Sequence, residues 1–535
     1  MAGRDNLRHA CVRVLVYTHR WLGIGGAALF VMWFVSGIAM IYARMPRLSA
    51  EERLMRAPVL DLTAARVDPS AAAASLSDRA ERLRVGMLVD RPVYRFQTAG
   101  GWTTVLADTG ERLADADPAM ALDVARLFAP EHAATMRLDG RRVEPDQWTL
   151  QIRSLLPATT VAVGDDADTY LYIAERTGEP VLETTRRTRG AGYVSAVCHW
   201  IYFTPIRRNG AVWAQLVIWL SAAGSLLCLS GLVWGVWRYS GDSRYRLRDV
   251  AHAHSPYAGL MKWHHYAGLL FGLVTFTWVF SGLLSMDPWE WSGSTTPTRA
   301  QREALSGGPM RWDRLTLDGL RKAAETLASS APVKEIELLQ FRGELIAEAF
   351  RAPAAGALQP ALDDPGAVVD QRLPLPHALV RVASPESGPF TAFDSRDIED
   401  AAKSAMPGAA IEESVWLSSY DGYYYSRARC DREPCLALTL PVLRVKYRDA
   451  NATWLYLDPT RGSIARKEER LTRLNRWLYH GLHSFDFPWL YYRRPLWDAI
   501  VIALSVGGCI VTLTSAPTGW RRLRRHARRL RAPRR

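Results

Sequence analysis

The chain has 535 residues and a formal net charge of +13, with 48% apolar and 23% charged residues. This composition excludes a disordered or collagen-like chain, and six cysteines in such a length exclude a small disulfide-built protein. The excess of basic residues would ordinarily suggest nucleic-acid binding, so the position of the charges along the chain decides what they mean.

Four stretches are long and apolar enough to cross a membrane as helices. They contain no Asp, Glu, Lys or Arg, and each has at least the roughly 20 residues that a helix needs to span the hydrocarbon core. Trp and Tyr cluster at their ends, which is typical of the membrane interface. The sequence therefore predicts an integral membrane bundle of four transmembrane helices, at 21–42, 211–237, 263–286 and 499–520.

The basic residues gather on one side of these helices. Residues 1–20 carry a net charge of +3, residues 238–262 carry +3 and residues 521–535 carry +9, which leaves −2 for the rest of the chain. Positively charged segments remain in the cytoplasm. We therefore expect a multi-pass protein of the bacterial inner membrane, with both termini cytoplasmic and the connections 43–210 and 287–498 in the periplasm. The basic charge then reflects topology and contact with membrane lipid, and we expect no nucleic-acid partner.

Both long connections have the pattern of folded α+β structure. In the first, alternation predicts a hairpin over 91–114, and an amphipathic helix follows at 117–128. The second connection has the same order of helix and hairpin. Its predicted elements are a helix at 314–330, strands at 333–341 and 344–352, a surface linker at 353–390, a helix at 395–406, and strands flanking Asp421 and Gly422. We expect two periplasmic α+β domains, one in each connection.

The two halves of the chain are a duplication. The motif at 19–23 matches 264–268 at an offset of 245, and the match continues without gaps to Ser36 and Ser281. Beyond the connections the offset is 284, and it relates His199 to His483. Each half therefore has the order helix, connection, helix, as in membrane proteins built from two parallel repeats.

The duplication places histidines at equivalent positions. His19 and His264 begin their helices at the cytoplasmic end, whereas His199 and His483 precede the second helix of each half at the outer end. A two-fold axis would bring each pair face to face, as two axial ligands of a haem iron require. We therefore predict two b-type haems, held by His19 with His264 and by His199 with His483. No Cys-x-x-Cys-His motif is present for covalent attachment.

Neighbouring residues leave alternatives open. His265 adjoins His264, and His480 lies three residues before His483, so either could replace a ligand. Two arginine pairs precede the outer ends of the second and fourth helices and could hold acidic groups of haem or substrate, although arginines at an interface often only reach towards water. These pairs are Arg207 with Arg208 and Arg493 with Arg494.

Two cysteines of the second connection suggest a short disulfide. Cys430 and Cys435 lie in the predicted periplasm, where disulfides persist, and they lack neighbouring histidines or cysteines for a metal site. The other four cysteines lie in or beside the predicted helices and are interpreted as small apolar residues.

Short motifs recur at the ends of helices and strands. They are His-Arg-Trp-Leu-Gly at 19–23 with its repeat at 264–268, Ser-Gly at 36–37 and 281–282, and a strand running into Asp-Pro-Thr-Arg-Gly at 458–462. In these motifs the sequence resembles the PepSY-associated transmembrane family, over all four helices and the ends of both connections. The resemblance implies PepSY-like domains, the four histidine ligands above, and an activity as an inner-membrane ferric-siderophore reductase.

This resemblance implies a direction of electron flow. Electrons would cross the membrane through two haems and reduce a periplasmic ferric siderophore from Fe³⁺ to Fe²⁺, which releases the metal. Some relatives carry a fused flavin domain, whereas the Arg-rich segment 521–535 has no Gly-x-Gly-x-x-Gly turn. We therefore expect a separate donor, either a quinol or a cytoplasmic reductase. The competing hypothesis is a non-redox protein that takes up a metal chelate or binds a periplasmic peptide or peptidase.

Overall fold

The computed structural model describes residues 2–113, 117–247, 250–353, 377–425 and 438–531. Its helices are α1 (Ala2–Tyr42), α2 (Ala50–Arg56), α3 (Pro69–Ala74), α4 (Pro118–Phe128), α5 (Arg186–Gly192), α6 (Cys198–Trp200), α7 (Thr204–Arg207), α8 (Gly210–Arg238), α9 (Leu260–Leu284), α10 (Arg299–Ser306), α11 (Leu317–Ala328), α12 (Ser395–Ala405), α13 (Arg470–Asn475), α14 (Leu482–Ser484), α15 (Pro488–Tyr491) and α16 (Leu496–Arg531).

The strands of the described residues form three larger sheets and one small hairpin. They are β1 (Arg82–Leu88), β2 (Arg91–Thr98), β3 (Gly101–Leu106), β4 (Arg137–Arg142), β5 (Ala158–Ala162), β6 (Tyr170–Ala174), β7 (Glu179–Thr184), β8 (Tyr245–Leu247), β9 (Val250–Ala253), β10 (Glu335–Phe341), β11 (Glu344–Phe350), β12 (His377–Arg381), β13 (Ala410–Leu417), β14 (Val442–Arg448), β15 (Trp454–Asp458) and β16 (Ser463–Glu468).

These elements divide into two compact units. We call the first the helical unit; it comprises Met1–Met45, Ala191–Ser292 and Leu474–Arg535. The second, the sheet unit, comprises Pro46–Gly190 and Gly293–Arg473. The four long apolar helices therefore separate from the strands of the three larger sheets, as the hydropathy of the sequence predicts.

The helical unit contains four helices that are long and apolar enough to span a membrane: α1, α8, α9 and α16. Two of them extend beyond the predicted bounds, because α1 begins at Ala2 and α16 continues to Arg531. Arginine is a good helix former, so the basic flanks continue the helix instead of ending it.

The packing of the four helices follows the duplication. Helices α1 and α9 are repeat equivalents, and each packs against both α8 and α16. Phe30, Phe34 and Val279 form the buried centre of this bundle. A Cβ atom at Gly508 would lie 2.3 Å from Cζ of Phe34, so the absence of a side chain at this position allows α16 to approach the ring of α1.

The sheet unit is built on one six-stranded antiparallel sheet with the order β12-β11-β10-β1-β2-β3. Strands β1 to β3 belong to the first connection and β10 to β12 to the second. Leu83 pairs with Leu338 across the β1–β10 junction, and Val85 and Ile336 are completely buried in a shared core. The prediction of two separate α+β domains is corrected on this point, because the edge strands of both connections satisfy their hydrogen bonds on each other.

Each connection also contributes a four-stranded sheet of its own, β4-β5-β6-β7 and β13-β14-β15-β16. The turns after β6 and β15 need Gly178 and Gly462, whose φ angles are +63° and +59°. A Cβ atom at Gly178 would also lie 2.4 Å from Leu88, and one at Gly462 would lie 2.6 Å from Phe341. A side chain at either of these repeat-equivalent positions would therefore strain the backbone and collide with a neighbouring residue.

Most local predictions for the connections are confirmed. The hairpin β2–β3, helix α4, strands β10 and β11, and helix α12 lie within the predicted ranges. The prediction of strands flanking Asp421 and Gly422 is confirmed in part. Strand β13 precedes Asp421, which accepts hydrogen bonds from the main-chain N–H groups of Tyr423 and Tyr424 and forms a turn. The predicted second strand is wrong for residues 422–425, which contain no strand. Part of the predicted linker is strand β12, and residues 354–376 lie outside the described residues.

Buried charges flank the β1–β10 junction. In the first connection, the Arg84 guanidinium lies 2.9 Å from the Glu179 carboxylate, and the Arg95 guanidinium lies 3.5 Å from it. All three side chains are buried. Glu179 shares the compensation of these arginines with Glu335, whose carboxylate lies 3.3 Å from the Arg84 guanidinium.

The equivalent positions of the second connection carry the opposite charge. Arg84 pairs with Arg95 across hairpin β1–β2, and Glu337 pairs with Glu348 across hairpin β10–β11, so the two glutamates replace the two arginines at an offset of 253. Arg461 lies 2.9 Å and 2.6 Å from the carboxylates of Glu337 and Glu348. Burial, followed by the neighbouring Glu337 carboxylate, outweighs Arg461 and raises the pKa of Glu348 to about 7. Glu348 is therefore the one of the two carboxyls that takes up a proton near neutral pH.

We predict that Glu348→Gln stabilises the protein at neutral pH. Because folding raises the pKa of Glu348, its protonated form stabilises the fold below about pH 4.5, and this stabilisation is lost as the pH rises to about 7. The uncharged Gln retains this stabilisation at every pH. The free energy of unfolding of the variant should therefore exceed that of the wild type by up to about 3 kcal/mol at pH 7.5 and by little at pH 4.5. Calorimetric unfolding of the full chain in detergent at several pH values measures the difference.

Glu344→Gln, an exposed change on the same strand, is the control and should leave the pH dependence unchanged. A Glu348→Gln variant destabilised equally at both pH values would contradict the account.

Candidate functional site

The segments that carry His199 and His483 have the same unusual backbone. In each, a short helix passes through a π-helix, at Tyr193–Val197 or Arg476–Gly481, and ends in a residue with left-handed conformation, Ile201 or Phe485. π-Helical turns are rare and are frequent at functional sites. The wider turn therefore marks both segments as candidate sites.

A tryptophan fixes each of these segments against the helix that follows. The indole N–H of Trp213 donates to the carbonyl of Trp200 at 2.8 Å, and that of Trp497 donates to the carbonyl of Ser484 at 2.9 Å. Both bonds connect residues related by the offset of 284. The same indole bond therefore holds each histidine segment against its helix in both halves of the chain.

We call His199 and His483 the second histidine pair. Their ring centroids are 6.1 Å apart. The Nδ1 atom of His199 lies 3.2 Å from the main-chain oxygen of Trp33 on α1, and that of His483 lies 3.1 Å from the oxygen of Trp278 on α9. The two rings thus lie next to each other, with 68° between their planes, while each is attached to a different long helix.

Two buried serines complete this arrangement. The Ser36 hydroxyl lies 3.2 Å from Nδ1 of His199, and the Ser281 hydroxyl lies 3.0 Å from Nδ1 of His483. Each hydroxyl also donates to the carbonyl that the histidine uses. The Ser-Gly motif of the sequence therefore orients the histidine, and the glycine leaves room for it: a Cβ atom at Gly37 would lie 3.5 Å from the His199 ring.

We call His19 and His264 the first histidine pair, and it repeats the same geometry. Their ring centroids are 6.2 Å apart. The Nδ1 atom of His19 lies 3.1 Å from the main-chain oxygen of Leu227 on α8, and that of His264 lies 2.8 Å from the oxygen of Val511 on α16. These two carbonyls are themselves related by the offset of 284, so the partner is duplicated together with the histidine.

The hydrogen bonds fix the tautomer of all four imidazoles. A carbonyl oxygen only accepts, so Nδ1 carries the proton and donates it, and Nε2 keeps a free lone pair. A histidine that binds a metal is typically held in this way through its second nitrogen. Each pair can therefore offer two Nε2 ligands to one metal atom.

A cavity of about 600 Å³ surrounds the first pair within the helical unit. Its walls are rich in glycine, since eight of its lining residues have no side chain: Gly23, Gly26, Gly231, Gly235, Gly268, Gly272, Gly508 and Gly519. Arg20 and Arg522 also line it, and no carboxylate of the described residues pairs with either guanidinium. The cavity is therefore suited to a flat ligand that carries acidic groups.

Sequence reasoning missed these two arginines. Arg20 directly follows His19, and Arg522 lies in the Arg-rich segment that was interpreted only as a topology signal. Their position next to the first pair became visible only when α16 was seen to extend beside α1.

The two alternative histidines have other roles. His265 is buried, and both of its ring nitrogens are used: Nδ1 lies 2.8 Å from the Ser255 hydroxyl and Nε2 lies 2.8 Å from the oxygen of Gly235. The His480 ring packs at a tilt against Tyr479, with ring centroids 4.3 Å apart. The structure brings His264 and His483, and not these neighbours, opposite their partners.

The arginine pairs lie against the tryptophans that begin α8 and α16. The Arg207 guanidinium lies 4.4 Å from the Trp213 ring centroid, and that of Arg494 lies 4.1 Å from the Trp497 ring centroid and pairs with Asp498. One arginine of each pair therefore makes a cation–π contact with a tryptophan. The other two, Arg208 and Arg493, are exposed.

The cysteines add no further ligand among the described residues. Cys11, Cys198, Cys228 and Cys509 are free thiols. The predicted disulfide between Cys430 and Cys435 lies outside the described residues.

The chain was compared with known proteins. No family model matches it, and no curated protein matches it. The functional argument therefore depends on the geometry of the histidine pairs.

We predict that Gly231→Ala disturbs the first pair. A Cβ atom at Gly231 would lie 2.5 Å from Cε1 of His19, so the ring must leave its place and its bond to Leu227. We expect a loss of about 1–3 kcal/mol, seen as a lower midpoint of thermal unfolding in detergent.

Gly25→Ala is the matched control. The same substitution on α1 meets nothing within 4 Å and should be neutral or stabilise the helix by up to about 1 kcal/mol. Equal stability of the two variants would show that the His19 ring does not occupy the position described.

Proposed function

We propose that this protein is a di-haem electron carrier of the bacterial inner membrane that reduces a ferric siderophore in the periplasm. The observation that supports it most is the repeated geometry of the two histidine pairs. Each pair has ring centroids about 6 Å apart and all four Nδ1 atoms bonded to carbonyl oxygens.

The residues present fit a b-type haem at each pair. An imidazole nitrogen lies about 2 Å from its metal, so two such bonds and the radii of two rings give a centroid separation of roughly 6 Å. No group of three His, Cys, Asp or Glu side chains that could hold a metal ion occurs among the described residues, so a bare metal ion at either pair would have only two histidine ligands. A haem would supply further nitrogen ligands of its own, so two histidines would be sufficient.

The chain's own residues would bind and orient the cofactor. His19 and His264, and His199 with His483, would provide the axial nitrogens. The glycine-lined cavity would admit the flat ring at the first pair, and Arg20 and Arg522 would pair with its acidic groups. A haem held by two imidazoles would supply one-electron transfer rather than oxygen binding.

The positions of the pairs support transfer across the bundle. His19 and the Trp33 carbonyl that anchors the second pair are 14 residues apart on α1, roughly 21 Å along a helix. His264 and Trp278 have the same spacing on α9. Phe34 is buried between them and contacts Trp278, with ring centroids 6.2 Å apart, so an aromatic core separates the pairs. Trp219 of α8 is exposed and lies outside this core.

The charge pattern and the resemblance support electron transfer from the cytoplasmic to the periplasmic side. The basic segments next to α1, α8, α9 and α16 favour cytoplasmic termini, which places the first pair on the cytoplasmic side and the second on the periplasmic side. A quinol or a cytoplasmic reductase would reduce the first centre. The resemblance to the PepSY-associated transmembrane family supports a ferric siderophore as acceptor of the electrons.

We predict that the purified protein, reduced with dithionite, has the spectrum of two low-spin b-type haems per chain. His19→Ala should remove one centre and His199→Ala the other, because each variant lacks one axial nitrogen. A quantitative haem assay together with the reduced-minus-oxidised spectrum measures both. A wild-type protein without haem would exclude this function and favour the non-redox alternative.

Neighbouring histidines provide matched controls. His265→Gln and His480→Ala change residues beside the proposed ligands, and both should retain two haems. Loss of a centre in His480→Ala with retention in His483→Ala would reverse the assignment of the second site.

A further inference from the structure

The sheet unit contains a cleft of about 890 Å³ that the histidine pairs do not explain. Segments of both connections line it, among them the start of α2, strands β1, β7 and β10, and the turn before β16. A volume in this range suits a small organic ligand. We call it the basic cleft, for the reason given next.

The lining of the basic cleft carries a strong excess of positive charge. Its charged residues are Arg47, Arg53, Arg79, Arg82, Arg84, Arg299, Arg302 and Arg461, against Glu81, Glu179 and Glu303. This is an excess of five positive charges. The connections 43–210 and 287–498 together carry a net charge of −2, so the rest of them is acidic and the cleft concentrates the cations.

The arginines at the floor of the cleft are compensated. Arg53 and Arg84 are buried and lie within 2.9 Å of the Glu179 carboxylate. Arg82 and Arg461 pair with Glu337, which does not line the cleft. The charge of the floor arginines is therefore neutralised within the fold.

The arginines at the rim are not compensated. Arg47, Arg79 and Arg302 are exposed, and no carboxylate of the described residues forms an ion pair with them. Exposed cations that lack partners do little for folding. Gathered around one concave surface, they raise the local concentration of anions and can bind carboxylates through paired N–H groups.

The wall of the cleft also offers an aromatic surface. Trp102 is half-buried, and the Arg84 guanidinium lies 4.5 Å from the centre of its ring. Trp148 contributes a second indole to the lining. A ligand for this cleft therefore has an organic body as well as several negative charges, which a simple inorganic anion lacks.

We propose that the basic cleft binds a multivalent carboxylate ligand, and that this ligand is the iron chelate to be reduced. The site follows from the cleft itself, whereas the identification with an iron chelate rests on the proposed function. The rim arginines Arg47, Arg79 and Arg302 bind the carboxylates that do not contact the metal, and the tryptophans contact the organic body.

The test uses the full chain in a neutral detergent, titrated by calorimetry with citrate and, separately, with ferric citrate. Replacing Arg47, Arg79 and Arg302 together by Gln should weaken binding at least tenfold and reduce its dependence on salt. The control replaces Arg186, Arg187 and Arg396 by Gln, which removes the same charge from exposed positions outside the cleft, and should keep wild-type affinity. The haem spectrum of each preparation is recorded alongside.

The two probes separate the site from the function. Ferric citrate bound more tightly than citrate, and weakened only by the rim substitutions, is the expected result. Equal binding of both probes would keep the carboxylate site but overturn its identification with the iron chelate. Failure of the wild type to bind either probe, or equal weakening in both variants, would overturn the site. A protein that binds citrate but has no haem would refute the proposed function and leave the site in place.

Discussion

The hydrogen bond from a histidine Nδ1 to a main-chain carbonyl of a neighbouring helix is the interaction on which the site depends. It occurs four times, and each bond joins two segments that are distant in the sequence. The bond decides which nitrogen remains available and holds the ring against its partner. Three further features help to place the four rings: glycines beside the rings, serines at the second pair, and π-helical turns.

Duplication explains why the architecture is consistent in both units. In the helical unit each histidine and its carbonyl are copied together, so each of the two sites consists of two equivalent halves. In the sheet unit the copies join along β1 and β10, where equivalent positions carry opposite charges: Arg84 corresponds to Glu337 and Arg95 to Glu348. Exchange of sign allows the two halves to meet without placing four like charges at one junction. The basic cleft also has lining residues from both copies, so it requires the two connections to fold as one unit.

The sequence was sufficient for the features that depend on periodicity and repetition. Uncharged stretches located α1, α8, α9 and α16, and the offsets of 245 and 284 identified which histidines correspond. It could not show that the connections share a sheet, because the pairing of Leu83 with Leu338 joins residues more than two hundred positions apart and leaves no local signal. The choice between His264 and His265 was likewise open, since it depends on Ser255 and Gly235, which lie outside their helix turn. The clustering of rim arginines required the fold, because Arg47, Arg79 and Arg302 come from three separate segments.

The central claim is that the two pairs conduct electrons across the bundle, and vesicles test it most directly. The purified protein would be reconstituted into liposomes that contain trapped dithionite, with ferric citrate and a ferrous-specific, membrane-impermeant chelator outside. The account predicts that ferrous iron accumulates outside with the wild type and stays at the level of empty liposomes with His19→Ala or His199→Ala. A wild type no faster than empty liposomes, or a variant as fast as the wild type, would contradict it.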